Sequence, residues 1–228
     1  MNDYMRRILN QKNRKLADSA LQRWAKSHPR PIVVTQDLTR VFRALEEKGV
    51  DVSQGLEALR LYPEYKDDIL EVYCGFFDSV DEQTKKELAN EIVNQQPEKH
   101  HLPKIQELFA SIEGDSSFAM SMRWALIQPI SRRITHSYEN FRHYLCDFPP
   151  GDYRVHISRL LYKVRDEPEK AYELAMDLLE ADDFATIAGT LESLRKMGLK
   201  EKNRTEVEKL LSHPAPVVRK EAKRLLAM

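Results

Sequence analysis

The chain of 228 residues is 42% hydrophobic and 32% charged, with 36 basic and 36 acidic side chains, so its formal net charge is zero. That length can bury a sizeable core, but 7 glycines are too few for the many tight turns of an all-β fold, and no apolar run approaches the ~20 residues needed to cross a bilayer. Two cysteines far apart in sequence, Cys74 and Cys146, imply no disulfide framework and suit a reducing cytoplasm, and the opening MNDYMRRILNQKNRK lacks the apolar core of a secretory signal.

Apolar residues recur every three to four positions almost throughout, which predicts an all-α chain. Met5, Ile8, Leu9, Leu16, Leu21 and Trp24 stripe a first long segment that ends at His28-Pro29-Arg30-Pro31. Ile32-Val33-Val34 is the single β-flavoured stretch, too short and isolated to found a sheet. Thr35 or Asp37 caps a helix bearing Leu38, Val41, Phe42 and Leu45, which stops at Gly49. A short helix through Leu56, Leu59 and Leu61 follows, and Pro63 starts one carrying Ile69, Leu70, Tyr73, Phe76 and Phe77. Asp78, Ser79 or Asp81 caps the next, with Leu88, Ile92 and Val93 on its apolar side. After the Pro97 and His100-His101 loop, Pro103 starts a helix with Ile105, Leu108, Phe109 and Ile112, closed by Gly114.

From Ser116 the stripe of Trp124, Leu126, Ile127, Ile130 and Ile134 is kinked or broken at Pro129. Tyr138, Phe141, Leu145 and Phe148 form another, ended by Pro149-Pro150-Gly151, the strongest punctuation in the chain. It places a boundary between an N-terminal helical part, residues 1–150, and C-terminal hairpins, residues 151–228, within one continuous elongated domain. Later segments span about 152–165, 168–181, 183–197, 201–212 and 215–227. The short connections make antiparallel helical hairpins.

Near the C-terminus the chain reads VEKLLSHPAPVVRKEAKRLLAM: a leucine pair (Leu210-Leu211), a proline-bearing turn (His213-Pro214-Ala215-Pro216), Val217-Val218-Arg219, then Ala222 and Leu225-Leu226. This resembles a HEAT repeat. A fainter copy lies about 32 residues earlier, where Leu178-Leu179 match the leucine pair and Leu194 matches Leu226; its turn, Asp182-Asp183-Phe184, lacks proline, and Thr186-Ile187 replace the Val-Arg pair. The resemblance is specific over 205–228 and fainter over 168–199. It implies an α-solenoid-like array of stacked hairpins, a class of surface that binds other macromolecules. It also puts Arg219, Lys220, Lys223 and Arg224 on a second helix of the last hairpin, where they serve either a partner or a polar capping repeat.

Charge is strongly segregated. Net charge runs +6 over residues 1–30, −10 over 46–115, +5 over 116–165, −8 over 166–193 and +6 over 194–228. Such blocks either pair internally or face different partners. Across 123–165, arginines that include Arg132, Arg133, Arg142, Arg154 and Arg159 interleave with aromatics that include Trp124 and Tyr144; the mixture suits phosphate and base contact and equally suits protein hot spots, unless the rings are core and the arginines pair with the acidic block. His136, His143 and Cys146, at i, i+7 and i+10, fall near one helix face and are the best metal candidates, against ordinary packing among Tyr138, Phe141 and Phe148. His100-His101 have no nearby partner in sequence. Asp182-Asp183 precede a helix and read as caps.

No P-loop, G-x-G-x-x-G, H-E-x-x-H or G-x-S-x-G pattern occurs, so no cofactor and no catalytic residue is implied. The expectation is a non-catalytic helical-repeat scaffold recognising another protein through Arg132, Arg133, Arg142, Tyr144, Arg154, Arg159, Arg219 and Lys223. The alternative is a nucleic-acid binder using basic segments 1–30 and 123–165. Some HEAT-like proteins repair alkylated DNA bases with a cleft lined by tryptophan and aspartate, but neither Trp24 nor Trp124 sits in a matching neighbourhood.

Overall fold

The computed structural model describes residues 35–53, 55, 56, 59 and 62–228. The first expected helix with Met5 and Trp24, the basic segment 1–30, the Ile32–Val34 stretch and Leu61 lie outside these residues. Among the described residues every regular element is helical: eleven α-helices, several extended by a 3-10 turn, and no strand. None is long and apolar enough to cross a membrane.

The chain divides into two compact units, Met1–Leu108 and Phe109–Met228. The division falls at Leu108/Phe109, whereas Pro149-Pro150-Gly151 lies inside the second unit. That turn is packed: a Cβ on Gly151 would meet the Met120 sulfur at 2.7 Å.

In the first unit, α1 (Gln36–Glu47) starts at Thr35, whose Oγ1 accepts from the Leu38 amide at 3.0 Å. It stops at Gly49, whose φ of 80° is the left-handed conformation that glycine adopts without a side-chain penalty. α2 (Lys66–Phe76) packs on α1, and α3 (Glu82–Asn94) packs on α2. Asp81 caps α3 by accepting from the Thr84 amide at 2.8 Å. The starts of α1 and α3 are tied together: the Asp81 amide donates to Asp37 at 2.9 Å, and the Thr35 and Thr84 hydroxyls lie 3.2 Å apart. The amide at Asp81 and the nearby Arg40 hold the Asp37 carboxyl below its ordinary pKa. Leu38, Val41, Leu45, Ile69, Leu70, Tyr73, Phe77, Leu88 and Ile92 fill the core beneath. The 3-10 turn Lys99–His101 opens α4 (Leu102–Ser111), whose last residues belong to the second unit.

In the second unit, α5 (Ser117–Arg133) runs unbroken through Pro129. Its Arg123 is 1% exposed; Nη1 and Nη2 donate to the carbonyls of Gly114 and Ile112 at 2.7 and 2.6 Å, closing the loop after α4. α6 (Tyr138–Cys146) and the four-residue α7 (Val155–Ser158) follow, then α8 (Pro168–Asp177), α9 (Phe184–Met197), α10 (Arg204–Lys209) and α11 (Pro216–Leu226). Asp183 caps α9 through the Thr186 amide at 2.6 Å, as its place before a helix predicted. α9 is central: it packs on α7, α8 and α11.

Its packing face is small and hydroxylic, with Thr186, Thr190 and Ser193 fully buried. Helices need small residues to approach this closely. At Gly189 a Cβ would lie 2.7 Å from Ser158 Oγ, 3.0 Å from Val155 Cγ2 and 3.2 Å from the Val155 carbonyl. Gly to Ala in a helix interior ordinarily gains about 0.5–1 kcal/mol, but overpacking costs roughly 1–3 kcal/mol. Gly189→Ala is therefore expected to lose about 1–2 kcal/mol and Gly189→Val more. Urea denaturation measures both, and an alanine variant as stable as the parent would show that α7 yields freely.

Candidate functional site

The segments around α5 and α7 enclose an open cleft of about 530 Å³ lined by Gln128, Ser131, Arg132, His156, Arg159, Leu160 and Lys163. Gln128, Ser131 and Arg132 stand at i, i+3 and i+4 on the last turns of α5. His156, Arg159, Leu160 and Lys163 stand at i, i+3, i+4 and i+7 on α7 and the turns after it. The first set therefore shares one helical face, and the second comes from a short helix and the turns that follow it. The Ser131 hydroxyl donates back to the Gln128 carbonyl at 2.9 Å.

Three cations meet here with little compensation. Arg159 comes within 3.8 Å of Glu192, the outer edge of an ion pair. Among the described residues, Arg132 and Lys163 have no carboxylate within 4.0 Å. His156 lines the same cleft. Its Nε2 is buried with no hydrogen-bond partner among the described residues, and its ring makes a T-shaped contact with Trp124 at 4.6 Å between centroids. Trp124 itself is 37% exposed, among the most exposed of the large apolar side chains.

The other expected residues do different work. Arg142 is held by Glu139 and Asp147 at 3.1 and 3.0 Å. Tyr144 is buried against Phe109 and Phe148 in an aromatic cluster that also holds Tyr153. Arg154 is buried and donates to the Phe148 carbonyl at 2.7 Å. Arg219 donates to the carbonyls of His213 and Pro214, both at 2.7 Å, and so fastens the turn before α11. Arg133 and Lys223 are exposed on α5 and α11. The structure thus brings Arg132 and Arg159 together and leaves the rest apart from them.

His136, His143 and Cys146 do not converge. His143 Nδ1 sits 3.0 Å from Asp147, and the His136 carbonyl accepts from the Arg165 amide at 3.1 Å. Partial burial raises the Cys146 pKa, which argues against an activated thiolate. Among the described residues, the one cluster with metal-ligand geometry is Asp67, His100 and His101. The histidine pair does have a partner, 33 residues away along the chain.

Sequence reasoning passed over His156, Gln128 and Ser131 as site residues. The signal that finds them is polar side chains at i, i+3 and i+4 (Gln128, Ser131, Arg132) and at i, i+3 and i+7 (His156, Arg159, Lys163), but it becomes a site only once those segments pack together. Comparison with family models, curated proteins and solved structures finds no match to this chain.

Burial, and after it the charges of Arg159 and Arg132, pull the His156 pKa down to about 4 from an ordinary 6.5. Between these two values the unfolded chain binds a proton at this position that the folded chain refuses. The contribution to stability is therefore complete above pH 6.5, falls as pH drops toward 4, and levels off below. Discounted for the ring's partial exposure, the loss is about 1–2 kcal/mol. Replacing the ring by His156→Gln should flatten this part of the stability profile relative to the parent, as measured by denaturation at a series of pH values.

Proposed function

We propose that this protein is a non-catalytic helical binding module that takes up an acidic segment of a partner protein in the Arg132–Arg159–Lys163 cleft. The convergence of three under-compensated cations beside an exposed indole carries the reading, because arginine and tryptophan dominate protein hot spots and a short acidic segment supplies the missing counter-charge. A repeated register in the last two hairpins supports a HEAT-like reading of them. The 3-10 leucine pairs Leu178-Leu179 and Leu210-Leu211, and the second-helix starts Phe184 and Pro216, keep one offset of 32 residues, and Thr186/Val218 and Thr190/Ala222 are buried in register. Both cysteines are free, which suits action in a reducing cytoplasm.

Nucleic acid is the less favoured occupant. A strand needs many phosphates neutralised at once, whereas this cleft offers three cations and the −8 block of residues 166–193 follows it directly in the chain.

Fluorescence anisotropy with a labelled Glu/Asp-rich peptide and a single-stranded oligonucleotide of equal charge tests the assignment. The peptide is expected to bind in a salt-dependent way. The Arg132→Glu/Arg159→Glu double variant should weaken it at least about tenfold, and Trp124→Ala should weaken it as well. Tighter oligonucleotide binding, or peptide binding that ignores the charge reversal, would overturn the reading.

A further inference from the structure

A second constellation, independent of the cleft's function, lies in the first unit. Asp67 stands in the first turn of α2, and His100 and His101 stand in the 3-10 turn that opens α4. Adjacent residues ordinarily point apart, but this tight turn brings the two imidazoles to 3.8 Å between centroids, tilted by 38°. Both Nε2 atoms address the same carboxylate oxygen: Asp67 Oδ1 is 3.2 Å from His101 and 3.6 Å from His100. The three ligand atoms lie within 4.8 Å of one another.

We propose that Asp67, His100 and His101 form a binding site for a divalent transition metal of the zinc class. A tetrahedral ion with bonds of 2.0–2.1 Å to nitrogen and oxygen separates its donors by about 3.4 Å, and the two distances to Asp67 straddle that value. Two imidazoles and one carboxylate select zinc and its neighbours over magnesium or calcium, which want oxygen donors. Three protein ligands leave one position open to solvent, where Asp67 and His100 are exposed.

The charges facing the site balance. Lys66, beside Asp67, is paired with Glu98 at 2.9 Å, so its repulsion of a cation is largely cancelled. Glu98 also sets the proton bookkeeping. Its backbone amide donates to His101 Nδ1 at 3.1 Å, so the neutral ring carries its proton on Nε2, toward Asp67. Coordination through Nε2 moves that proton to Nδ1, and the Glu98 N–H exchanges its imidazole acceptor for water at an exposed turn. Metal uptake is thereby coupled to the cap at the start of α4.

The test uses the full chain, prepared without a polyhistidine tag and stripped with chelator. Co²⁺ is titrated and followed by its d–d absorption, and Zn²⁺ competition is followed by calorimetry, with circular dichroism as a check on folding. One equivalent is expected to bind, with the Glu98 amide resonance shifting in step. Asp67→Asn and His100→Ala, both at exposed positions, should each weaken binding at least about tenfold. A titration that never saturates, or variants that titrate like the parent, overturns the site.

Discussion

The close approach of α9 to α7 at Gly189 is the contact on which the second unit depends. α7 has only four residues, too few to hold a helical conformation without tertiary support. Its place is set by what lies against it: Gly189 leaves room for Ser158 and Val155, and the Ser158 hydroxyl donates to the Thr186 carbonyl at 3.3 Å. A further tie follows one turn on, where the Tyr162 amide donates to Ser193 Oγ at 2.7 Å. His156 and Arg159 take their direction from this seam. The cleft is thus a consequence of small and hydroxylic residues on α9, none of which lines it.

Loops in a chain with few glycines still carry carbonyls that need donors, and arginine supplies them repeatedly. Arg123 reaches Ile112 and Gly114, Arg154 reaches Phe148, and Arg219 reaches His213 and Pro214. Arg123 spans its two carbonyls with two separate guanidinium nitrogens, Nη1 and Nη2, in a way that lysine's single nitrogen cannot. These arginines are used up in holding the fold, which separates them from Arg132, whose side chain stays exposed at the cleft.

The segregated charge resolves in the same selective manner. The acidic stretch 166–193 is not simply neutralised by the basic stretch before it. Glu167 pairs with Lys170 within the stretch, Glu169 pairs with Lys200 beyond it, and Glu192 makes the long contact to Arg159. Arg142 is satisfied by carboxylates of its own segment. What remains is a small surplus of positive charge beside Trp124, while the formal total over the chain stays at zero.

Among the described residues, local chemistry was enough to read most of the helices and many of their ends. Spacing of apolar residues, Thr35, Asp81 and Asp183 as caps, and Gly49 as a left-handed stop all act within a turn or two of chain, so they are visible in order of sequence. Tertiary structure alone decided which polar residues are free. Arg154 and Arg132 look alike in sequence, yet one is buried on a carbonyl and the other faces a cleft. His100-His101 gain their carboxylate only because α2 and the start of α4 lie together. Period and capping are short-range properties of the backbone, whereas a side chain's partner is set by whichever distant segment packs beside it.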